Sequence, residues 1–270
     1  MAKAKRKKKR SVIGTIIWWI IILVAIGVFG YSTYKLGSIW WEYRKGTEEY
    51  DDLKQYISND SGSATVDNTE GTGEDGGEVP AEEPGPAIDF ASLQEVNSDI
   101  IGWLQVEALE DINYPIVQGK DNDYYLHRTT KKTYNFAGSI FLEYQNKPDF
   151  SEPHSIVFGH NMKNGSMFGQ LDKFRKPEVY NKSRYFWICT PERNYKYEIF
   201  SVQDVLSGGE AYTLFYGPSK EVVDYVNQMK STSEVKFPDM VVTENSKIVT
   251  LSTCTTTTVN RLIVQGILVN

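Results

Sequence analysis

Residues 247–270, KIVTLSTCTTTTVNRLIVQGILVN, hold the densest chemistry in the chain. A largely β-branched run from Ile248 ends at Cys254, a threonine-rich turn follows, and Arg261 opens a second apolar run. The pattern predicts two antiparallel strands joined by a short loop, with the cysteine at the mouth of one and the arginine at the foot of the other. Each residue alone has a plainer reading. A lone cysteine is usually a small buried hydrophobe, and a lone arginine is usually a solvated surface charge. Together they fit a thiolate held beside a fixed cation, the surroundings a cysteine nucleophile needs.

A nucleophilic thiol also needs a base, and the chain has three histidines. His127 follows DNDYYL and His154 precedes an apolar run; both read as surface residues. His160 closes SIVFG and opens the polar loop HNMKNGS, where a strand supports the imidazole and a loop gives access to it. Cys254 and His160 are therefore the candidate pair. The second cysteine, Cys189, sits inside RYFWICT. Two cysteines are too few for a disulfide scaffold, which leaves two readings: free thiols with Cys254 reactive, or a Cys189–Cys254 bridge in a non-catalytic extracellular binding domain.

The elements that would position these residues are short. YPIVQG, GSIFLEY, HSIVFGH, RYFWICT, YKYEIFSVQDVL, KIVTLSTC and RLIVQGILV are rich in β-branched and aromatic residues and bounded by turn formers. A short helix is expected ahead of a further strand near 101–106. Such a set predicts a mostly β domain, an antiparallel barrel or sandwich. One helix interrupts it at 217–230, with Val222, Val223, Val226 and Met229 on one face.

The first 87 residues read differently. Residues 1–11 form a basic flank, with seven Lys or Arg in the first ten positions. Residues 12–29 carry no charge, and at about 1.5 Å per residue such a helix spans roughly the hydrocarbon thickness of a bilayer. The rival reading is a cleaved signal peptide, whose apolar stretch is shorter and ends in a small-x-small site; GYSTYKLG supplies none. We expect a transmembrane anchor at 12–30 in the lipid bilayer, N-terminus cytoplasmic by its flanking charge and the rest extracellular. Residues 31–57 have apolar residues at helical spacing and are expected to form a juxtamembrane helical stalk, interrupted near Gly46. Residues 58–87 hold eight acids, no Lys or Arg and little to bury, which predicts a disordered linker with a reach of roughly 30 Å. The folded domain is expected over 88–270. The formal net charge of −6 argues against a nucleic-acid binder.

The segment Thr250-Leu251-Ser252-Thr253-Cys254 with Arg261, SIVFGHNMKNGSMFGQL around His160, and GSIFLEYQN upstream resemble the signature blocks of the sortase family, in the family's order. The late helix and the serine before Thr-Cys are similar to class B. Two features depart from the pattern: the seven-residue Cys-to-Arg spacing is short, and threonines replace an acidic residue after the cysteine. The resemblance implies an eight-stranded barrel with a few peripheral helices, no metal or cofactor, and a cysteine transpeptidase at the cell membrane. It would cleave C-terminal sorting signals (LPxTG/NPxTN-like) of surface proteins through a thioester, then transfer them to a peptidoglycan precursor or pilin amine. In that scheme Cys254 attacks, His160 moves the proton, Arg261 holds substrate backbone and oxyanion, and Ser252, Phe158, Leu126 and Asn122 touch the signal peptide. A membrane-anchored cysteine peptidase with water as acceptor uses the same pair.

Overall fold

Strand formation follows the apolar runs closely. The computed structural model describes residues 12–58, 85–254 and 259–269, with Cys254 described by its backbone. The helix α1 (Val12–Leu53) is followed by a small ribbon of β1 (Ile57–Ser58) and β2 (Ala87–Ile88), then α2 (Phe90–Val96). Next come β3 (Ile100–Val106), β4 (Asn113–Val117), β5 (Ile140–Leu142), β6 (His154–His160), α3 (Pro177–Tyr180), β7 (Tyr185–Cys189), β8 (Asn194–Leu206), α4 (Lys220–Thr232), β9 (Ile248–Cys254) and β10 (Asn260–Leu268). The eight strands β3 to β10 close into a barrel in the order β10-β8-β7-β3-β4-β5-β6-β9. Closure removes every exposed edge from the barrel strands. The eight-stranded barrel expected from the resemblance is thus present.

Both faces of several strands are covered, which is why their sequences run apolar instead of alternating. In β3 the residues Ile100, Trp103, Leu104 and Val106 are all fully buried. The helix α4 packs on the barrel through a buried cluster in which Val222, Tyr225, Val226 and Met229 join Phe200, Ile248 and Ile263. Tyr225, not Val223, completes that buried face, because positions 222, 225, 226 and 229 share one helical stripe.

Two units are distinguished along the chain, Met1–Lys45 and Gly46–Asn270. The helix α1, which begins in the first, is long and apolar enough to cross a membrane, with a mean hydropathy of 2.7 in its most apolar window and none of that window buried. The second unit takes in residues 46–57, which the sequence pattern assigned to a stalk. The helix shows no break at Gly46. Instead a Cβ there would stand 3.1 Å from the Asn135 amide, so the glycine permits close packing. Tyr50 and Leu53 are buried, and Tyr50 Oη donates to the Gly138 carbonyl at 2.6 Å. The basic flank 1–11, most of the acidic linker (59–84) and the threonine turn (255–258) lie outside the described residues.

Cys189 follows the free-thiol reading, whereas His154 departs from expectation. Cys189 is a free, fully buried thiol, so the bridge to Cys254 is not formed. The barrel order explains this: β7 is separated from β9 by β8 and β10, three strand spacings of about 4.8 Å, beyond disulfide reach. Burial pushes its thiol pKa up to about 12, leaving it protonated and inert. In the folded chain one cysteine is expected to react with a small thiol reagent and a second only on unfolding. Cys189→Ala is expected to keep activity while costing about 1 kcal/mol of stability; an inactive but folded variant would refute this. His154, expected at the surface, is completely buried, covered by Tyr225 of α4 and by Thr213 and Phe215 of the preceding segment.

Candidate active site

His160 is the last residue of β6, and the parallel β6–β9 ladder pairs it with Cys254, the last residue of β9. The rungs below continue that register through Phe158↔Ser252 and the fully buried pair Val157↔Leu251. Residues 248–253 of β9 are all buried, so a slip of one residue would exchange the side chains packed on its two faces and disrupt both. Arg261 comes from β10, which is antiparallel to β9. Their ladder ends at Ile263↔Ser252, two residues short of both Arg261 and Cys254. The three candidate catalytic residues thus meet at one end of three adjacent strands.

His160 is held by its ring. Its Nε2 lies 2.8 Å from the Leu126 carbonyl, which can only accept, so the proton sits on Nε2 and Nδ1 carries the lone pair. The Leu126 carbonyl in turn depends on Gly138, whose φ is +59°. A Cβ at Gly138 would stand 2.4 Å from that oxygen, so only glycine allows this carbonyl to reach the imidazole. His127, exposed as expected, stacks on His160 with centroids 5.8 Å apart. Burial lowers the His160 pKa, the Leu126 bond partly offsets this, and the nearby His127 and Arg261 lower it further. The imidazole is therefore neutral at pH 7 and able to take a proton.

A groove of about 310 Å³ runs along this end of the barrel. Its lining includes Asn122, Leu126, Phe158, Gly159, Tyr212 and Arg261, so it passes the residues that flank and hold His160. Asn122 is fixed by donating to Glu143 (2.7 Å) and accepting from the Tyr144 amide (3.1 Å). Arg261 is half-buried, is the register partner of Val205, and donates from Nε to Ser207 Oγ at 3.3 Å. Of the four expected peptide-contact residues, Asn122, Leu126 and Phe158 line the groove and Ser252 does not. Ser252 is buried, and its Oγ is 2.8 Å from Tyr212 Oη, so it supports the wall from behind. Tyr212 itself, stacked on Phe158 at 6.4 Å with planes 8° apart, was missed. The signal available was an aromatic cluster, AYTLFY, in a segment bounded by Gly208–Gly209 and Pro218.

A groove lined by Arg261 and by the neighbours of His160, whose strand end is paired with that of Cys254, can bind an extended peptide and present it for cleavage by acyl transfer. Comparison with known proteins agrees. The family described as Sortase domain matches residues 104–269. Sortase B of Listeria monocytogenes is 34% identical over 252 residues, 92% of this chain and 95% of that protein. The crystal structure of sortase B from Bacillus anthracis matches with a TM-score of 0.68 at 32% identity, over 86% of this chain and 99% of that one. A Streptococcus pyogenes class B sortase involved in pilus biogenesis matches with a TM-score of 0.59 at 34% identity, over 67% of this chain and 98% of that one.

Proposed function

This chain belongs to the sortase family, class B, and from that premise we propose that it is a membrane-anchored cysteine transpeptidase acting on C-terminal sorting signals of the LPxTG/NPxTN kind. The observation that carries the reading is the His160↔Cys254 rung beside a groove lined by Arg261. In the first step His160 takes the proton of the Cys254 thiol, and the resulting thiolate adds to the carbonyl carbon of the scissile peptide bond. Arg261 holds the oxyanion that develops, with substrate backbone in the groove. The C–N bond then breaks, the leaving amine takes a proton from the His160 imidazolium, and a thioester remains on Cys254. An incoming amine, from a peptidoglycan precursor or a pilin, gives its proton to His160, attacks the thioester and releases the thiolate.

The apolar helix α1 fits an anchor with the basic N-terminus cytoplasmic and the barrel outside. Its length and charge support that placement, since substrates of this kind arrive at the outer membrane face. Product analysis tests the reaction. The full chain in detergent, given a sorting peptide and an amine nucleophile, is expected to yield the ligated product; hydrolysed peptide alone at saturating amine would favour the peptidase reading.

The role of Arg261 is directional as well as electrostatic. Arg261→Lys keeps the charge but loses the planar fork and is expected to slow acylation at least about tenfold. Arg261→Ala is expected to lose about 10²–10³-fold, the scale of a missing oxyanion donor. A small thiol reagent should still label Cys254 in both variants. Native acylation rates in Arg261→Ala would remove the arginine from the mechanism.

A further inference from the structure

Ala211 and Thr213 flank Tyr212 in the chain, and both of their carbonyls are held by side chains from the buried interior. Tyr225 Oη donates to the Ala211 carbonyl at 2.9 Å, and His154 Nδ1 lies 2.6 Å from the Thr213 carbonyl. A carbonyl only accepts, so the His154 proton is on Nδ1 and Nε2 must accept. Its partner there is Thr250 Oγ1 at 2.7 Å, which therefore spends its proton on the imidazole. Thr250 Oγ1 then accepts from Gln265 Nε2 at 2.9 Å, and the second hydrogen of that amide goes to Tyr225 Oη at 2.7 Å. Tyr225 has already committed its own proton to Ala211. Every direction follows from the two carbonyl ends.

One amide on β10 thus starts two hydrogen-bond branches that converge on either side of Tyr212. His154, Thr250 and Gln265 are fully buried and Tyr225 nearly so. Burial lowers the His154 pKa to about 4, keeping the imidazole in the neutral state this arrangement requires. The segment that receives the bonds lies between β8 and α4, outside the barrel ladders, so strand pairing does not hold it. We propose that His154, Thr250, Gln265 and Tyr225 are positioning residues that fix the Tyr212 wall of the groove for peptide binding, an inference that rests on the sortase reading above. None of the four lines the groove; they act through the backbone on either side of Tyr212.

Two substitutions separate this role from general packing. His154→Leu fills the space without either bond, whereas His154→Gln can keep one donor and one acceptor. In the full chain, His154→Leu is expected to speed amide hydrogen exchange in 210–216 by about tenfold, the equivalent of one lost hydrogen bond. It is also expected to raise the KM for sorting-peptide acylation about tenfold with little change in kcat, with thiol-reagent labelling of Cys254 unchanged. His154→Gln should restore most of both. In a Tyr212→Ala background, His154→Leu should add nothing further to KM, because its effect passes through Tyr212. If His154→Leu does not fold, the near-isosteric Thr250→Val tests the same branch with the same expected signature. Unchanged exchange in 210–216, or an equal KM effect with and without Tyr212, overturns the proposal. A wild-type chain that acylates no sorting peptide overturns it together with the sortase reading; that case is told apart because the exchange comparison still reports whether the network holds the segment.

Discussion

Cys254→Ala is expected to abolish acylation of sorting peptides, a loss of at least about 10⁴-fold, while the barrel stays folded. The size follows from the chemistry: no other described side chain near the groove can form a thioester, since Cys189 is buried and protonated. Preservation of the fold follows from position. The buried residues of β9 run from Ile248 to Thr253, and the ladder to β10 ends at Ser252, before Cys254 is reached. Thermal unfolding of the variant within a few degrees of wild type, with no covalent adduct on incubation with peptide, is the expected pair of results. A variant that retained turnover would end the cysteine mechanism.

His160→Ala is expected to lower the acylation rate by about 10²–10⁴-fold, the usual contribution of a positioned acid–base group. The pH dependence makes this specific. The reactive form of the Cys–His pair carries one proton, so activity falls when acid adds a second to the imidazole. Because burial lowers the His160 pKa, the acid limb of the wild-type profile is expected at a midpoint below the ordinary 6.5, with activity lost as pH falls through it. That limb should vanish in His160→Ala. A limb that persisted unchanged in the variant would assign the acid titration to another group.

The residues proposed to do the chemistry were readable because their types are rare and their strands are strongly patterned. The β-branched run into Cys254 and the run SIVFG into His160 each predicted a strand end, and one parallel ladder brings those ends together. That they pair directly was not readable, since β6 and β9 are far apart in sequence and their neighbourhood is set by barrel closure. The same closure hid His154. A histidine following proline at the start of an apolar run looks exposed, and only the packing of α4 and the 210–215 segment over it creates the buried site. Tyr212 escaped for a related reason: it sits in a short 3-10 turn with no periodicity, and it reaches the groove through contacts distant in sequence, Ser252 and Phe158 among them. Gly46 misled in the opposite sense. Glycine in a helical pattern suggests a break, but here the missing side chain makes room for Asn135.

Intact-mass spectrometry of the full chain incubated with a small library of sorting peptides tests the central claim most directly. The predicted result is an added mass equal to the N-terminal part of one peptide, mapped to Cys254, lost on addition of an amine nucleophile and absent from Cys254→Ala. No adduct with any peptide, or an adduct mapped to a residue other than Cys254, would contradict it.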